Sequence, residues 1–391
     1  MGRVAGIFAT AAIVSAIVAD GTTSAADARR VFKESKAEGG ELRYVQGIPV
    51  LLLEGEPEQM GRQQAALVFD VARRNANLPK TILGEYGGGL LWPLVVGCGR
   101  SLLKDGPERC QRELNAAFTA AGCKQEEIDS LTVANSLIEL RCFGLCSAFL
   151  VEPERSASGG ILFGRNFDIP SYGSLDRMLL VVICRPARRH AFASVSWPGF
   201  IGVLSGMNDA GLAIACLDSG KAKDGSPGFR FGTPLSLTFR RILEECSSVE
   251  EAQKVLAAST RTTWMNLAVC DQGRALVLEI TPENVVARGA EDHLLACTNH
   301  FRTPELSLWK DCWRYRILHS YWNKREPFRW RDVAAAMHRV NLGTDTTQSM
   351  IFEPKALRLR LAIGKPPASA GPFVPLELAT LLERKPVSEA R

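Results

Sequence analysis

Gly144-Leu145-Cys146-Ser147-Ala148-Phe149-Leu150-Val151 is an apolar run with a cysteine near its start, and after a polar turn comes Gly164-Arg165-Asn166-Phe167-Asp168. Ser147–Val151 and Ile161–Phe163 are short and β-favouring, and Pro153 with Gly159-Gly160 supplies turn chemistry between them. The pair therefore reads as an antiparallel hairpin. A turn centred near Arg155-Ser156 sets Arg165 opposite Cys146, with the register open by about two residues. In either register Arg165 and Asp168 arrive at the end of the sheet where Cys146 begins. A thiol, a guanidinium and a carboxylate at one strand end are the parts of a nucleophile and its electrostatic supports.

Upstream, the texture is mainly helical. Val50-Leu51-Leu52-Leu53 reads as a short buried strand, and Pro57 suits the first turn of a helix carrying Met60, Leu67, Val68 and Val71. Pro107 opens a second helix with Leu114, Ala117, Phe118 and Ala121 on one face, and Gly122 ends it. Ile128, Leu131, Ala134 and Ile138 continue a third helix that delivers the chain to Cys146. Gly87-Gly88-Gly89 reads as a turn.

Downstream, strands dominate: Leu179–Cys184, Phe192–Ser196, Leu212–Cys216, Leu267–Cys270, Leu276–Ile280, Ser349–Phe352 and Leu357–Ala362. Helices Leu237–Cys246, one opened by the capping box Ser248-Val249-Glu250-Glu251, and Arg331–Val340 interrupt them. Two batches of strands with a helical interlude fit a layered α+β body.

The 391 residues are 46% hydrophobic and 23% charged, an ordinary globular composition. A formal charge of +5 without a dense basic stripe makes no case for nucleic acid. Arg3, the apolar run Val4 to Ala19 and Ser24-Ala25-Ala26 read as an export signal over residues 1–26, or as an uncleaved membrane anchor. No later stretch is long and apolar enough to span a bilayer. The expected location is secreted or periplasmic, or membrane-anchored if the signal is retained. Eleven cysteines are an odd number, so pairing of the others leaves a thiol free. Cys184, Cys216, Cys270 and Cys297 lie in apolar runs and read as small hydrophobes. Cys142 offers a disulfide partner for Cys146 as a minor alternative.

The ordered set Cys146-Ser147, Gly164-Arg165-Asn166-Phe167-Asp168, Gly206-Met207-Asn208-Asp209-Ala210-Gly211-Leu212 and Thr298-Asn299-His300-Phe301 resembles the isopenicillin N acyltransferase-like family. These are cysteine N-terminal-nucleophile hydrolases related to bile salt hydrolases and acid ceramidases. The resemblance runs from about Glu54 to the C-terminus. It implies a four-layer αββα sandwich, a mainly helical pro-segment over residues 27–145 and a catalytic domain over 146–391. Self-cleavage between Leu145 and Cys146 would free an α-amine that serves as base for the thiol, and the two fragments would stay associated. By the same resemblance Arg165 holds the thiolate, Asp168 orients the amine, Asn299 serves the oxyanion, and Asn208 aligns the substrate amide through its backbone or side chain. Arg314 matches a further family position, with Ser147 and Asn166 as supporting residues. Ser147 stands where threonine is common, and Leu145 where the prototype has glycine.

Each residue also has a plain role: a packed cysteine, a strand-end ion pair, an Asn-Gly turn, a cap. The set outweighs its members. No HExxH, Gly-x-Ser-x-Gly elbow or phosphate loop is present, and neither a metal nor a cofactor is expected. The expected partner is a small amide or acyl substrate. A lipid-directed ester or ceramide-type hydrolase, and a non-catalytic binding protein of the same fold, stay as alternatives.

Overall fold

The computed structural model describes residues 31–85, 87–136, 139 and 144–384. The export-signal reading, Ile138 and Cys142 lie outside these residues. Three strands come first, β1 (Ser35–Ala37), β2 (Gly40–Val45) and β3 (Ile48–Gly55). Five helices follow: α1 (Pro57–Arg74), α2 (Leu78–Glu85), α3 (Trp92–Lys104), α4 (Glu108–Ala121) and α5 (Gln125–Ala134).

Local chemistry accounts for several of their ends. Pro57 starts α1, and the Gln59 side chain accepts from the Glu56 N–H at 2.8 Å. Gly122 closes α4 in the left-handed region at φ 59°. α2 and α3 flank the glycine turn and were not anticipated. α5 stops at Ala134 rather than running on towards residue 138. Asn135 caps it, donating to Leu131 O and Gly199 O while accepting from Ile201 N, which pins the helix end to a later loop.

Strands dominate from Cys146: β4 (Cys146–Val151), β5 (Leu162–Asp168), β6 (Leu180–Pro186), β7 (Phe192–Ser196), β8 (Ser205–Asn208) and β9 (Ala213–Asp218). Helices α6 (Leu235–Glu245) and α7 (Val249–Ala258) precede β10 (Met265–Cys270), β11 (Ala275–Ile280), β12 (Val285–Gly289) and β13 (Leu294–Cys297). The Ser248 hydroxyl accepts from Glu251 N at the start of α7, as the capping pattern requires. The chain closes with α8 (Trp313–His319), α9 (Trp330–Arg339), β14 (Thr346–Glu353), β15 (Arg358–Ile363), β16 (Val374–Glu377) and α10 (Leu378–Leu382).

The strands form two sheets, one of ten in the order β1-β2-β3-β6-β7-β8-β9-β10-β11-β12 and one of six in the order β13-β4-β5-β14-β15-β16. Arg165 of β5 reaches Ser205 of β8 at 3.0 Å, so the sheets face one another here. The other face of the six-stranded sheet presents Phe149, Val151, Leu162 and Ile351 to Leu318 of α8 and to Val333, Ala336 and Met337 of α9. Helices α1, α3, α4, α5 and α6 share a second core through Phe69, Leu103, Leu114, Phe118, Leu131 and Leu237. α1 lies against β2 and β3, and α6 against β8. The result is the α+β sandwich of four layers.

The segment before Cys146 is more than a helical appendage. β3 pairs in parallel with β6, Val50 to Val181 through Gly55 to Pro186, so β1–β3 extend the larger sheet. A buried ion cluster ties the two parts again. Arg240 of α6 bonds Glu113 of α4 at 2.5 Å and Glu244 at 2.8 Å, and Gln64 of α1 donates to Glu113 at 2.6 Å. Burial pushes the Glu113 carboxyl up while Arg240 pulls it down. Removing one partner leaves uncompensated buried charge, so Arg240→Ala is expected to lower the unfolding free energy by about 3–5 kcal/mol. Urea denaturation tests this, and a loss below about 1 kcal/mol would contradict it.

Candidate active site

The neighbours of β4 bring the site together. β5 pairs with it on one side and β13 on the other, Cys297 opposite Ala148. The register sets Phe167, not Arg165, opposite Cys146, and Arg165 opposite Ala148. This two-residue difference from the expected turn keeps Cys146 and Arg165 on the same face, because side chains alternate with period two.

Asn299 lies two residues beyond the end of β13, and its Oδ1 accepts from the Cys146 N–H at 2.7 Å. The same oxygen accepts from Arg314 at 2.8 Å, while Arg314 also donates to Cys146 O at 2.6 Å. Asn299 Nδ2 donates to the carbonyl of Asp218 at 2.8 Å. Asp168 Oδ2 lies 3.8 Å from the Arg314 guanidinium, and Asp168 Oδ1 accepts from the Thr346 hydroxyl. Arg165 donates to Ser205 Oγ at 3.0 Å and to Asn166 O at 2.7 Å, with its guanidinium 4.9 Å from the Phe167 ring centre.

Burial pushes the Cys146 thiol up, against the pull of Arg165 and of the Asp168 backbone N–H. Asp168 is pushed up to about 6, again by burial, against the Thr346 hydroxyl and the Arg314 and Arg165 charges. His300, next to Asn299, is lowered to about 4 by burial and bonds to the Thr298 hydroxyl at 3.0 Å, so it is a neutral imidazole at pH 7.

Cys146, Arg165, Asp168, Asn299 and Arg314 are therefore gathered, whereas Asn208 is not. In β8, Ser205 is directed at the six-stranded sheet and Asn208 at α6. Asn208 Nδ2 donates to Leu243 O and Cys246 O, and its Oδ1 accepts from Ala210 N and Leu212 N. Its side-chain amide is committed to a helix end and a turn in which Gly211 has φ 84°, away from the Cys146 cluster. Asn166 likewise turns outward, donating to Met337 O and accepting from Ser349 Oγ. Ser147, opposite Asn166, has a buried hydroxyl without a hydrogen-bond partner. Ser205, Thr346 and the Asp218 carbonyl are supports that sequence reasoning missed.

The ten described cysteines are all free, and Cys184, Cys216, Cys270 and Cys297 are buried. Among the described residues Glu152, Glu154 and His293 could gather around a cation, but they flank the far end of β4 from Cys146. A cavity of about 640 Å³ between α3, α4 and α5, lined by Leu103, Leu114, Phe118 and Leu237, contains none of the site residues.

Two sheets lie stacked between helices, with a buried cysteine opening an inner strand. Residues 155–329 match the family model of acyl-coenzyme A:6-aminopenicillanic acid acyl-transferase, a match over less than half of the chain. The match begins beyond Cys146 and includes Arg165, Asp168, Asn299 and Arg314. An uncharacterised protein of Archaeoglobus fulgidus is 27% identical over 202 residues, covering 44% of this chain and 33% of the relative. The match thus spans about a third of that relative's length. A Caenorhabditis elegans N-acylethanolamine-hydrolyzing acid amidase ortholog aligns with TM-score 0.42 and 15% identity, over 54% of this chain and 93% of its own. A variant of the conjugated bile acid hydrolase from Clostridium perfringens gives 0.41 and 14%, over 56% and 89%. Penicillin V acylase from Agrobacterium tumefaciens gives 0.36 and 12%, over 56% and 83%.

The folded value of Asp168 lies above the ordinary 3.8, so its charged form costs stability. That cost is absent below about pH 4, grows towards pH 6 and is full above it, on the order of 3 kcal/mol. In an uncleaved Cys146→Ala chain, Asp168→Asn is expected to raise the unfolding free energy at pH 7 and to change it little at pH 4. Equal effects at both pH values would contradict the assignment.

Proposed function

We propose that the protein is an exported, self-processing cysteine amidohydrolase or acyltransferase that forms a thioester on Cys146. The observation that carries this reading is the hydrogen bond from Cys146 N to Asn299, within a cluster that also holds Arg165, Asp168 and Arg314. In the continuous chain that nitrogen is an amide and has no useful basicity. Cleavage after Leu145 turns it into an α-amine titrating at about 7.7–8.0, held by the Asn299 oxygen and near enough to accept the thiol proton. Arg165 then faces the thiolate. The substrate acyl carbon is attacked by sulfur, the amine component leaves with a proton, and water or another amine takes the acyl group.

Asn299 supplies an acceptor to the amine through Oδ1, leaving Nδ2 as the donor available to an oxyanion once it exchanges Asp218 O for substrate. Export rests on the apolar run Val4 to Ala19 behind Arg3. A binding module would have no use for a thiol so surrounded, which weighs against the non-catalytic reading.

Cys146→Ala is expected to abolish both chain cleavage and labelling by an electrophilic amide or thioester probe, with turnover falling to background. Undiminished labelling in that variant would sink the nucleophile assignment.

Exposed aromatic side chains favour a lipid-like acyl group as a second reading. Trp309 stacks on His300 and lies beside Gly220, whose N–H donates to Asn299 O. Trp309 and Trp313, which precedes Arg314, are both about half exposed. Trp309→Ala is expected to weaken kcat/KM for long-chain amides by about tenfold relative to acetyl amides. An equal effect at every chain length would remove this reading.

A further inference from the structure

The bond that self-processing would break sits in a crowded corner. Leu145 O accepts from the backbone N–H of Asp168 at 3.0 Å. The Leu145 side chain is 48% exposed. One residue earlier, a Cβ on Gly144 would lie 1.7 Å from Asp168 O and 3.0 Å from Ile169 Cα. Backbone cannot yield at such a distance, so residue 144 has to be glycine for β5 to approach this closely. The oxygen of the carbonyl that the sulfur would attack therefore already has a backbone donor.

We infer that the Asp168 main-chain N–H is the oxyanion donor of self-cleavage, and that Gly144, rather than the residue at 145, is the position that sets it. This rests on the self-processing reading proposed above. In the first step the Cys146 sulfur bonds to the Leu145 carbonyl carbon and the carbonyl π electrons move to oxygen, where the Asp168 N–H holds the charge. Collapse breaks the carbon–nitrogen bond, and the thiol's proton ends on the departing Cys146 nitrogen. Water then adds to the thioester, releasing the Leu145 carboxylate and restoring the thiol. The side chain at 145 takes no part, so leucine in place of the prototype's glycine is no obstacle. The N–H of Asp168 thus acts separately from its carboxylate, which accepts from Thr346 and lies 3.8 Å from Arg314.

The test follows the full-length chain by intact mass as it matures. Gly144→Ala is expected to slow fragment formation by about a hundredfold, the effect of losing one oxyanion donor, and to accumulate no hydroxylamine-sensitive thioester. Leu145→Ala should cleave within about threefold of the parent. Cleavage of a folded Gly144→Ala chain at the parental rate would overturn the inference, as would a Leu145→Ala defect matching that of Gly144→Ala. Should Gly144→Ala fail to fold, hydrogen exchange in the uncleaved Cys146→Ala chain decides. A protected Asp168 amide supports the inference, and exchange as fast as in an exposed turn overturns it. Cleavage that persists in Cys146→Ala would instead overturn the self-processing reading itself.

Discussion

The carboxamide oxygen of Asn299 accepts from the backbone of Cys146 and from the side chain of Arg314 at once. Arg314 closes the loop by donating to the carbonyl of Cys146. The nitrogen and carbonyl of one residue are thereby held from a single side, by a strand extension and a helix start that come much later in the chain. A backbone amide so placed cannot swing when its neighbouring peptide bond changes, which is the condition for the same atom to be part of a scissile bond and then a base. The pairing of β4 with β13 serves this contact, and so does the seating of α8 on that pair. The cost is buried charge: Arg314, Arg165 and Asp168 all sit where water is scarce, and Asp168 holds its proton more tightly for it.

The hairpin was legible because strand chemistry is forgiving in steps of two. The expected register was displaced by two residues, yet Cys146 and Arg165 still shared a face. Asn208 was not legible for the opposite reason. An asparagine that closes an Asn-x-x-Gly turn and one that serves a reaction look alike in sequence, and the carbonyls of Leu243 and Cys246 that claim its amide lie in a separate helix end. Thr346 and Ser205 escaped notice because hydroxyls are common and their partners belong to strands distant in sequence. Short helices around Gly87–Gly89 were hidden by the glycines themselves, which signal a break and not what flanks it.

The division at Cys146 was visible as a change of texture, from helical periodicity to short strands. Its structural meaning was not. Val50–Leu53 read as a strand, but no local pattern announces that its partner is β6, beyond the whole of β4 and β5. The Glu113–Arg240 pair is equally silent in sequence, since burial of both ends depends on α4 meeting α6. Glu139 adds a third tie, accepting from Leu235 N at the start of α6 and from the Thr262 hydroxyl.

That parallel pairing of β3 with β6 has a kinetic consequence. Parallel neighbours need a long crossover, and here the crossover runs through β4 and therefore through Cys146. In an intact chain the search for this contact is intramolecular, with an entropy cost that grows only slowly with loop length. Were the crossover severed as proposed, the same contact would become an encounter between two molecules, dependent on their concentration. A severed protein that unfolds would thus lose the route by which it first folded. Its lifetime would be governed by how slowly it opens, and assembly would have to be complete before the bond is broken.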